Sequence, residues 1–211
     1  KINKNYPQSK QIKVKNTLNF LTQCSSIFRE NINAKIISIT GSCGKTTLKE
    51  MIGFTLKKIS RTSYSPKSFN NKYGVPLSLL NLKQNDEFGV FEVGMDKKGE
   101  IDNLSKIIKP DLGIITNISY AHAKNFKNIN LIAEAKAEIM NNIKNGGTIL
   151  LNKDDNFYLS HKNYALKKKL KVISFGIMSR FAMTKLLRIK KIKNKYELFI
   201  NVNGLFVSFY S

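Results

Sequence analysis

Residues 36–47 combine residue types that could hold the phosphates of a nucleotide. An apolar, β-branched run leads into a glycine-punctuated turn, and Lys-Thr-Thr then opens a helical pattern. Glycines let several backbone N–H groups face one anion, and the following helix adds free N–H groups and the positive end of its dipole. Lys45 would supply a charge for the β- and γ-phosphates, and the hydroxyl of Thr46 would hold Mg²⁺. The pattern predicts a phosphate-binding loop.

This loop departs from the general pattern G-x-x-x-x-G-K-[ST] at one position. The pattern requires glycine at position 39, where this chain has Ile39, so the match is to a shorter form, T-G-S-x-G-K-T-T. A glycine-rich strand-to-helix turn that binds nothing is the alternative. We predict that the nucleotide contacts come from Gly41, Ser42, Cys43, Gly44, Lys45, Thr46 and Thr47.

Further polar residues follow the predicted strands. Glu92 ends the second core strand, Asn117 and His122 follow the third, and Asn70-Asn71 form a turn. Because ligands of open parallel sheets gather at the carboxyl ends of the strands, these residues together predict a Mg²⁺–nucleotide site. Glu92 and Thr46 offer the oxygen ligands of a hard cation, and neutral His122 could hold a second one. Individually, Glu92 could be an exposed strand-end acid and His122 a surface or helix-cap histidine.

The order of the predicted elements indicates the fold class. Strands at 35–40, 88–93, 111–117, 147–151 and 171–175 alternate with helices at 45–59, 99–108, 129–143 and 155–168. Such alternation predicts an α/β protein with a phosphate-loop type, mainly parallel, doubly wound sheet and helices on both faces. Three further strands, at 184–192, 195–202 and 204–210, predict a small antiparallel β appendage at the C-terminal end.

The two ends of the chain carry their own signals. Residues 1–13 are polar and include Pro7, which predicts a linker or the tail of a preceding domain, and residues 14–30 have a helical pattern. The chain starts at Lys1 and stops after an apolar, strand-like run, from which we expect that both ends are cut.

Composition favours a cytoplasmic protein. The 211 residues are 42% hydrophobic, which is enough for one sizeable core, and the two cysteines do not form a disulfide framework. No apolar run approaches the roughly 20 residues that span a bilayer, so no membrane insertion is expected. The net charge of +22 comes mostly from scattered lysines, which an AT-rich genome would produce, so no nucleic-acid partner is expected. A monomer is expected.

Six motifs, in order along residues 36–156, resemble those of the Mur ligases. Among these enzymes, the chain is most similar to those that add D-Ala-D-Ala to UDP-MurNAc-tripeptide. The motifs are TGSCGKTTLKE at 40–50, FNNKYGVPLSLL at 69–80, EVGM with GEI at 92–101, NISYAH at 117–122, AKAEI at 135–139 and LNKDD at 151–155.

The resemblance implies an ATP-dependent ligase that works through an acyl-phosphate. It also implies that residues 1–30 are the end of an N-terminal substrate domain with a linker helix, that residues 31–211 are the central ATP-binding domain, and that a C-terminal domain is absent. It implies that Lys45 polarises the γ-phosphate of ATP, that Thr46 and Glu92 bind one Mg²⁺, and that His122 binds a second. Asn71 and Asn117 would contact the nucleotide or the acyl-phosphate. Lys136 matches a lysine that related ligases carbamoylate, although an exposed lysine on a helix face of mixed charge is the alternative. UDP-MurNAc-tripeptide and D-Ala-D-Ala are then the expected substrates, and we expect this chain alone to bind ATP without ligating.

Other interpretations remain open. The runner-up is a Mur ligase that adds the third amino acid of the peptide, and a nucleotide- or nucleic-acid-binding module without catalysis is a different class. Folylpolyglutamate ligases usually have Gly-Lys-Gly-Ser where this chain has Gly44-Lys45-Thr46-Thr47. Two places fit the Mur family poorly: the family's His-Leu-Glu is His122-Ala123-Lys124 here, and residues 177–187 diverge.

Overall fold

A computed structural model describes residues 3–120 and 125–210. Within them, nine strands form one sheet in the order β2-β3-β1-β4-β5-β6-β7-β8-β9. The strands are β1 (Lys35–Thr40), β2 (Thr62–Tyr64), β3 (Phe88–Glu92), β4 (Leu112–Ile115), β5 (Thr148–Asn152), β6 (Lys171–Gly176), β7 (Thr184–Ile192), β8 (Lys195–Val202) and β9 (Leu205–Tyr210). The first seven strands in chain order pair in parallel, and β7, β8 and β9 pair antiparallel. The predicted fold class is confirmed.

Strand β1 lies where the order of the sheet reverses. It pairs with β3 on one side, with Ile39 opposite Glu92, and with β4 on the other, with Thr40 opposite Ile115. The chain leaves β1 toward β2 on one side of the sheet and leaves β4 toward β5 on the other, and such a reversal opens a crevice above the carboxyl end of β1. The phosphate-loop motif begins at this point.

The helices cover the sheet unequally. They are α1 (Thr17–Glu30), α2 (Lys45–Lys57), α3 (Gly74–Leu80), α4 (Glu100–Ile108), α5 (Ile129–Ala137) and α6 (Tyr158–Lys167), with 3-10 turns at Gln8–Lys10 and Glu138–Asn142. Leu48, Ile52 and Leu56 of α2 pack on one face against a small core that includes Ile39 and Val90. The larger core lies on the other face, beneath α3, α4, α5 and α6. None of the described helices has the length and apolar character to cross a membrane.

Helix α1 packs against α3 and α4. The guanidinium of Arg29, which is buried, donates from Nε to the carbonyl of Ile108 at 2.7 Å and from Nη1 to that of Ile32 at 2.8 Å. Carbonyls that end one helix and follow another are thereby satisfied. The assignment of residues 1–30 to a preceding domain stays a prediction.

Two sequence expectations need adjustment. The predicted helix over 129–143 ends at Ala137 and continues as the 3-10 turn, where the carboxylate of buried Glu138 accepts from the N–H groups of Gly99 and Asp102 at 2.7 and 3.1 Å. This carboxylate therefore accepts hydrogen bonds from two backbone N–H groups at the start of α4. The antiparallel appendage is also continuous with the main sheet, because Phe175 and Gly176 of β6 pair with Thr184 and Lys185 of β7.

Candidate active site

The loop between β1 and α2 has two glycines in the left-handed region. Gly41 has φ +148° and Gly44 has φ +80°. A Cβ on Gly41 would lie 1.8 Å from Oγ1 of Thr116, whereas a Cβ on Gly44 would meet no heavy atom within 4 Å. Gly41 is therefore required both by its backbone and by the close approach of the segment after β4, and Gly44 by its backbone alone.

Polar groups after β4 hold the loop in place. Cys43 N–H donates to Oδ1 of Asn117 at 3.1 Å, and Nδ2 of Asn117 donates to the Cys43 carbonyl at 3.3 Å. Oγ of Ser42 donates to the Ser119 carbonyl at 3.0 Å and accepts from the Ser119 N–H at 2.8 Å. Thr116 Oγ1 donates to the Cys43 carbonyl at 2.7 Å. Asn117 thus shapes the loop through both ends of its amide.

Lys45 begins α2 and returns over the loop. Its Nζ donates to the carbonyl of Gly41 at 2.8 Å and to that of Ser42 at 3.4 Å. The side chain is half-buried, while Thr47 on the same first turn is exposed. The ammonium group and the N-terminus of α2 therefore face the same concavity, which is the arrangement that binds phosphate.

Thr46 and Glu92 form an oxygen pair beside this loop. Oγ1 of Thr46 donates to Oε2 of Glu92 at 2.7 Å, and Nδ2 of Asn70 donates to Oε1 at 2.7 Å. Glu92 is 1% exposed, so the interpretation of an exposed strand-end acid is wrong. A hydroxyl and a carboxylate at one place are hard oxygen ligands, and they fit Mg²⁺.

Asn71 lines the same cleft as Lys45. Its Oδ1 accepts from the N–H groups of Tyr73 and Gly74, each at 3.0 Å, and so holds the start of α3. Its exposed side chain lines a cleft of about 490 Å³ together with Lys45, Asn70 and Asp96. The structure therefore brings Asn71 and Lys45 to one cleft, with part of the Asn71 amide engaged in shaping the backbone.

Lys136 reaches the loop from α5. It is 2% exposed, and its Nζ donates to the Gly41 carbonyl at 3.0 Å. Burial and then the nearby charge of Lys45 lower the pKa of Lys136 to about 8, although the thiol group of Cys43 acts in the opposite direction. The alternative of an exposed lysine on a mixed-charge helix face is wrong. Lys45 from α2 and Lys136 from α5 donate to the same carbonyl oxygen, that of Gly41.

His122 lies outside the described residues, so its predicted metal role stays a prediction. Within residues 3–120 and 125–210, no group of three or more His, Cys, Asp or Glu side chains is arranged as a metal site. A cation held mainly by phosphate oxygens needs few protein ligands, and Thr46 with Glu92 suits that mode of binding.

Sequence reasoning missed Asn70, Thr116 and Ser119. The sequence pattern marks the Asn70-Asn71 turn as polar and predicts a nucleotide contact from Asn71, whereas in the structure it is the amide of Asn70 that holds Glu92. Thr116 adjoins Asn117 in the same motif region, and its contact with Gly41 depends on strand pairing that local sequence does not reveal.

A larger cavity of about 840 Å³ lies between α4, α5 and α6. Its lining includes Lys98, Phe157 and Tyr164 and none of the predicted site residues that the structure describes. Because the loop, Glu92 and Lys136 converge elsewhere, the crevice above β1 is the candidate active site.

The fold, together with the phosphate-loop crevice, defines the class of protein to which the chain belongs. The family model of the Mur ligase middle domain matches residues 39–209, and the chain belongs to this family.

Comparison with individual proteins shows which ligases of this family the chain resembles. The chain is 35% identical over 203 residues to the UDP-N-acetylmuramoyl-tripeptide–D-alanyl-D-alanine ligase of Rickettsia prowazekii, covering 95% of this chain and 44% of that protein. MurF from Acinetobacter baumannii superposes with a TM-score of 0.87 at 30% identity, over 95% of this chain and 43% of that one.

A third relative carries a nucleotide. The MurF ligase from Thermotoga maritima in complex with ADP shares the fold, with a TM-score of 0.82 at 24% identity, over 94% of this chain and 45% of that one. The chain spans about two fifths of the length of the curated relatives it matches.

Proposed function

We propose that the chain is the ATP-binding domain of a ligase that joins D-Ala-D-Ala to UDP-MurNAc-tripeptide, in peptidoglycan precursor synthesis. The observation that carries this proposal is the pairing of Thr46 with buried Glu92, at 2.7 Å, beside a loop over which Lys45 returns. The activity for which the Rickettsia relative is named supports the choice of substrates, and the ADP complex of the Thermotoga protein supports a nucleotide.

ATP and Mg²⁺ fit the residues present. The N–H groups of the loop and of the first turn of α2 would bind the phosphates, with Lys45 beside the γ-phosphate. Thr46 and Glu92 would hold Mg²⁺, which supplies neutralisation of charge when two anions must meet. In our proposal Asn117 keeps the loop in its binding shape, since its amide contacts both the N–H and the carbonyl of Cys43.

The proposed reaction has two steps, and this chain serves the first. The tripeptide carboxylate attacks the γ-phosphorus of ATP, the bond to ADP breaks, and an acyl-phosphate forms. The amine of D-Ala-D-Ala then attacks the acyl carbon, phosphate leaves, and the amine loses a proton to give the amide. Lys45, fixed on α2, would orient the γ-phosphate for the attack, so charge neutralisation and positioning provide most of the rate enhancement.

We propose that Lys136 is carbamoylated. Its Nζ is buried and directed to the Gly41 carbonyl, and a carbamate nitrogen keeps one N–H with which to retain that bond. The neutral amine attacks the carbon of CO₂, an N–C bond forms, one C=O electron pair moves to oxygen, and the nitrogen releases a proton. The cation becomes an anion that adjoins the loop.

The pH dependence of this modification follows from the amine. With a pKa of about 8, against 10.5 ordinarily, about a tenth of the Lys136 amine is neutral at pH 7, and this fraction rises through pH 8. In ¹³C-bicarbonate we expect a carbamate NMR resonance that strengthens from pH 7 to 9 and is lost in Lys136→Arg, which keeps a donor and a charge. Lys106→Arg, at an exposed position on α4, should retain the resonance. A resonance that survives in Lys136→Arg would contradict the assignment.

A chimera tests the ligase function. Residues 39–209 replace the superposable segment of A. baumannii MurF, and release of ADP is followed with UDP-MurNAc-tripeptide and D-Ala-D-Ala. We expect release that requires both substrates. Release that instead requires UDP-MurNAc-dipeptide and a single amino acid would favour the runner-up ligase. A chimera that binds ATP without turnover under either condition would favour a non-catalytic nucleotide-binding module.

We also propose that the protein acts as a cytoplasmic monomer on small-molecule substrates, without a nucleic-acid partner. The scattered distribution of its lysines supports the last point. Salt-dependent binding of DNA or RNA that Lys45→Ala leaves unchanged would contradict it.

A further inference from the structure

Helix α2 contains a second lysine whose burial is unusual. Lys49 is 0% exposed, and its Nζ donates to the carbonyls of Ser65 and Lys67 at 2.7 and 2.5 Å and forms an ion pair with Glu50 at 2.7 Å. A buried ammonium is costly unless it is paired and hydrogen-bonded, so these contacts must be formed for α2 to pack as it does. Lys49 lies three residues after Thr46, on the same side of the helix.

The carbonyls of Ser65 and Lys67 belong to a segment that contacts Glu92 through both Ser65 and Asn70. Buried Ser65 accepts at Oγ from the Glu92 N–H at 3.4 Å, and Lys67 adopts φ +46°, a left-handed conformation that L-residues rarely keep without support. Asn70 then donates from Nδ2 to Glu92 Oε1 and accepts at its carbonyl from the Gly94 N–H at 2.8 Å. Lys49 therefore holds the first half of the segment from Ser65 to Asn70 through two carbonyls, and Asn70 at its end donates a hydrogen bond to the carboxylate of Glu92.

We infer that Lys49 is a positioning residue for the metal-binding carboxylate, acting through the Ser65–Asn70 segment. Thr46 orients Oε2 of Glu92 and Asn70 orients Oε1, and both come from elements that Lys49 joins. The inference rests on the proposed role of Glu92 toward Mg²⁺. Removing the Lys49 ammonium frees the segment, so Asn70 no longer fixes the carboxylate, and the benefit of Mg²⁺ to nucleotide binding falls.

The test compares the affinity for β,γ-methylene-ATP in Mg²⁺ with that in EDTA, by calorimetry on this chain. We expect Lys49→Met to reduce the ratio of the two affinities about tenfold while the affinity in EDTA changes less than twofold. Lys49→Arg, which keeps charge and donors, should stay within about threefold of the wild type. Lys57→Met, at an exposed position of the same helix, should match the wild type. A purely structural role would lower both affinities equally and would overturn the inference.

A double-mutant cycle tests the route. Asn70→Ala should also reduce the ratio of the affinity in Mg²⁺ to that in EDTA. The double variant Asn70→Ala with Lys49→Met should reduce this ratio no further than the larger single effect, because both substitutions disrupt the same contact between Asn70 and Glu92. Effects of the two substitutions that multiply would overturn the proposed route.

If Lys49→Met does not fold, Lys49→Gln, which keeps one donor, replaces it, and an unchanged affinity ratio in that variant counts against the inference. A wild-type chain that binds nucleotide equally well with and without Mg²⁺ would overturn the proposed metal role of Glu92 as well. If the effect of Mg²⁺ is lost in Thr46→Ala but retained in the Lys49 variants, only this inference is overturned.

Discussion

Replacing Gly41 with alanine should destabilise the chain and abolish nucleotide binding. The new Cβ would lie 1.8 Å from Oγ1 of Thr116 and 3.1 Å from its backbone nitrogen, at φ +148°. Strained backbone and overpacking each cost about 1–3 kcal/mol, so the free energy of unfolding should fall by about 2–6 kcal/mol. Urea unfolding followed by circular dichroism measures this loss.

Two variants separate the causes of that loss. Gly146→Ala also places alanine at positive φ, +73°, but meets no heavy atom within 4 Å, so it should lose about 1 kcal/mol and leave nucleotide binding unchanged. Thr116→Ala in the Gly41→Ala background removes the nearest clashing atom and should restore part of the stability. Equal stability of the Gly41 and Gly146 variants would show that Thr116 does not constrain the loop.

Replacing Lys45 with alanine should weaken the binding of Mg-ATP at least a hundredfold. The ammonium lies over the loop, within hydrogen-bond distance of the Gly41 and Ser42 carbonyls, and is the cation at the N-terminus of α2. Truncating one partner of a hydrogen-bonded charge pair costs about 2–5 kcal/mol, and 2.7 kcal/mol corresponds to about a hundredfold change in affinity. The fold should persist, because the side chain is half-buried and not part of the fully buried interior.

Much of the fold could be predicted because its determinants are local. Strand β1 is a β-branched run that ends in the loop, and its predicted limits, 35–40, match the structure. The helix after the loop starts at Lys45 as predicted. The pairing of β6 with β7 could not be predicted, because two residue pairs join them and no periodicity encodes such a contact.

The candidate site could be predicted in its residue types more than in its contacts. Short motifs identified Lys45, Thr46 and Glu92, since each lies at the end of a recognisable strand or in the loop and helix that follow one. The environment of Lys136 was not readable, because Gly41 is 95 residues away and α5 carries charged residues that suggest an exposed face. Burial of Lys49 was hidden for the same reason: its partners come from a loop that only the sheet brings near.

The measurement that tests the account most directly is a calorimetric titration of Mg-ATP into the chain, with Lys45→Ala beside it. Lys106→Ala serves as the control, because it removes one positive charge from an exposed position on α4. The account predicts saturable binding by the wild type and by the control, and loss of that binding in Lys45→Ala. Binding that survives in Lys45→Ala, or a folded wild type that shows none, would contradict the claim that this loop is the ATP site.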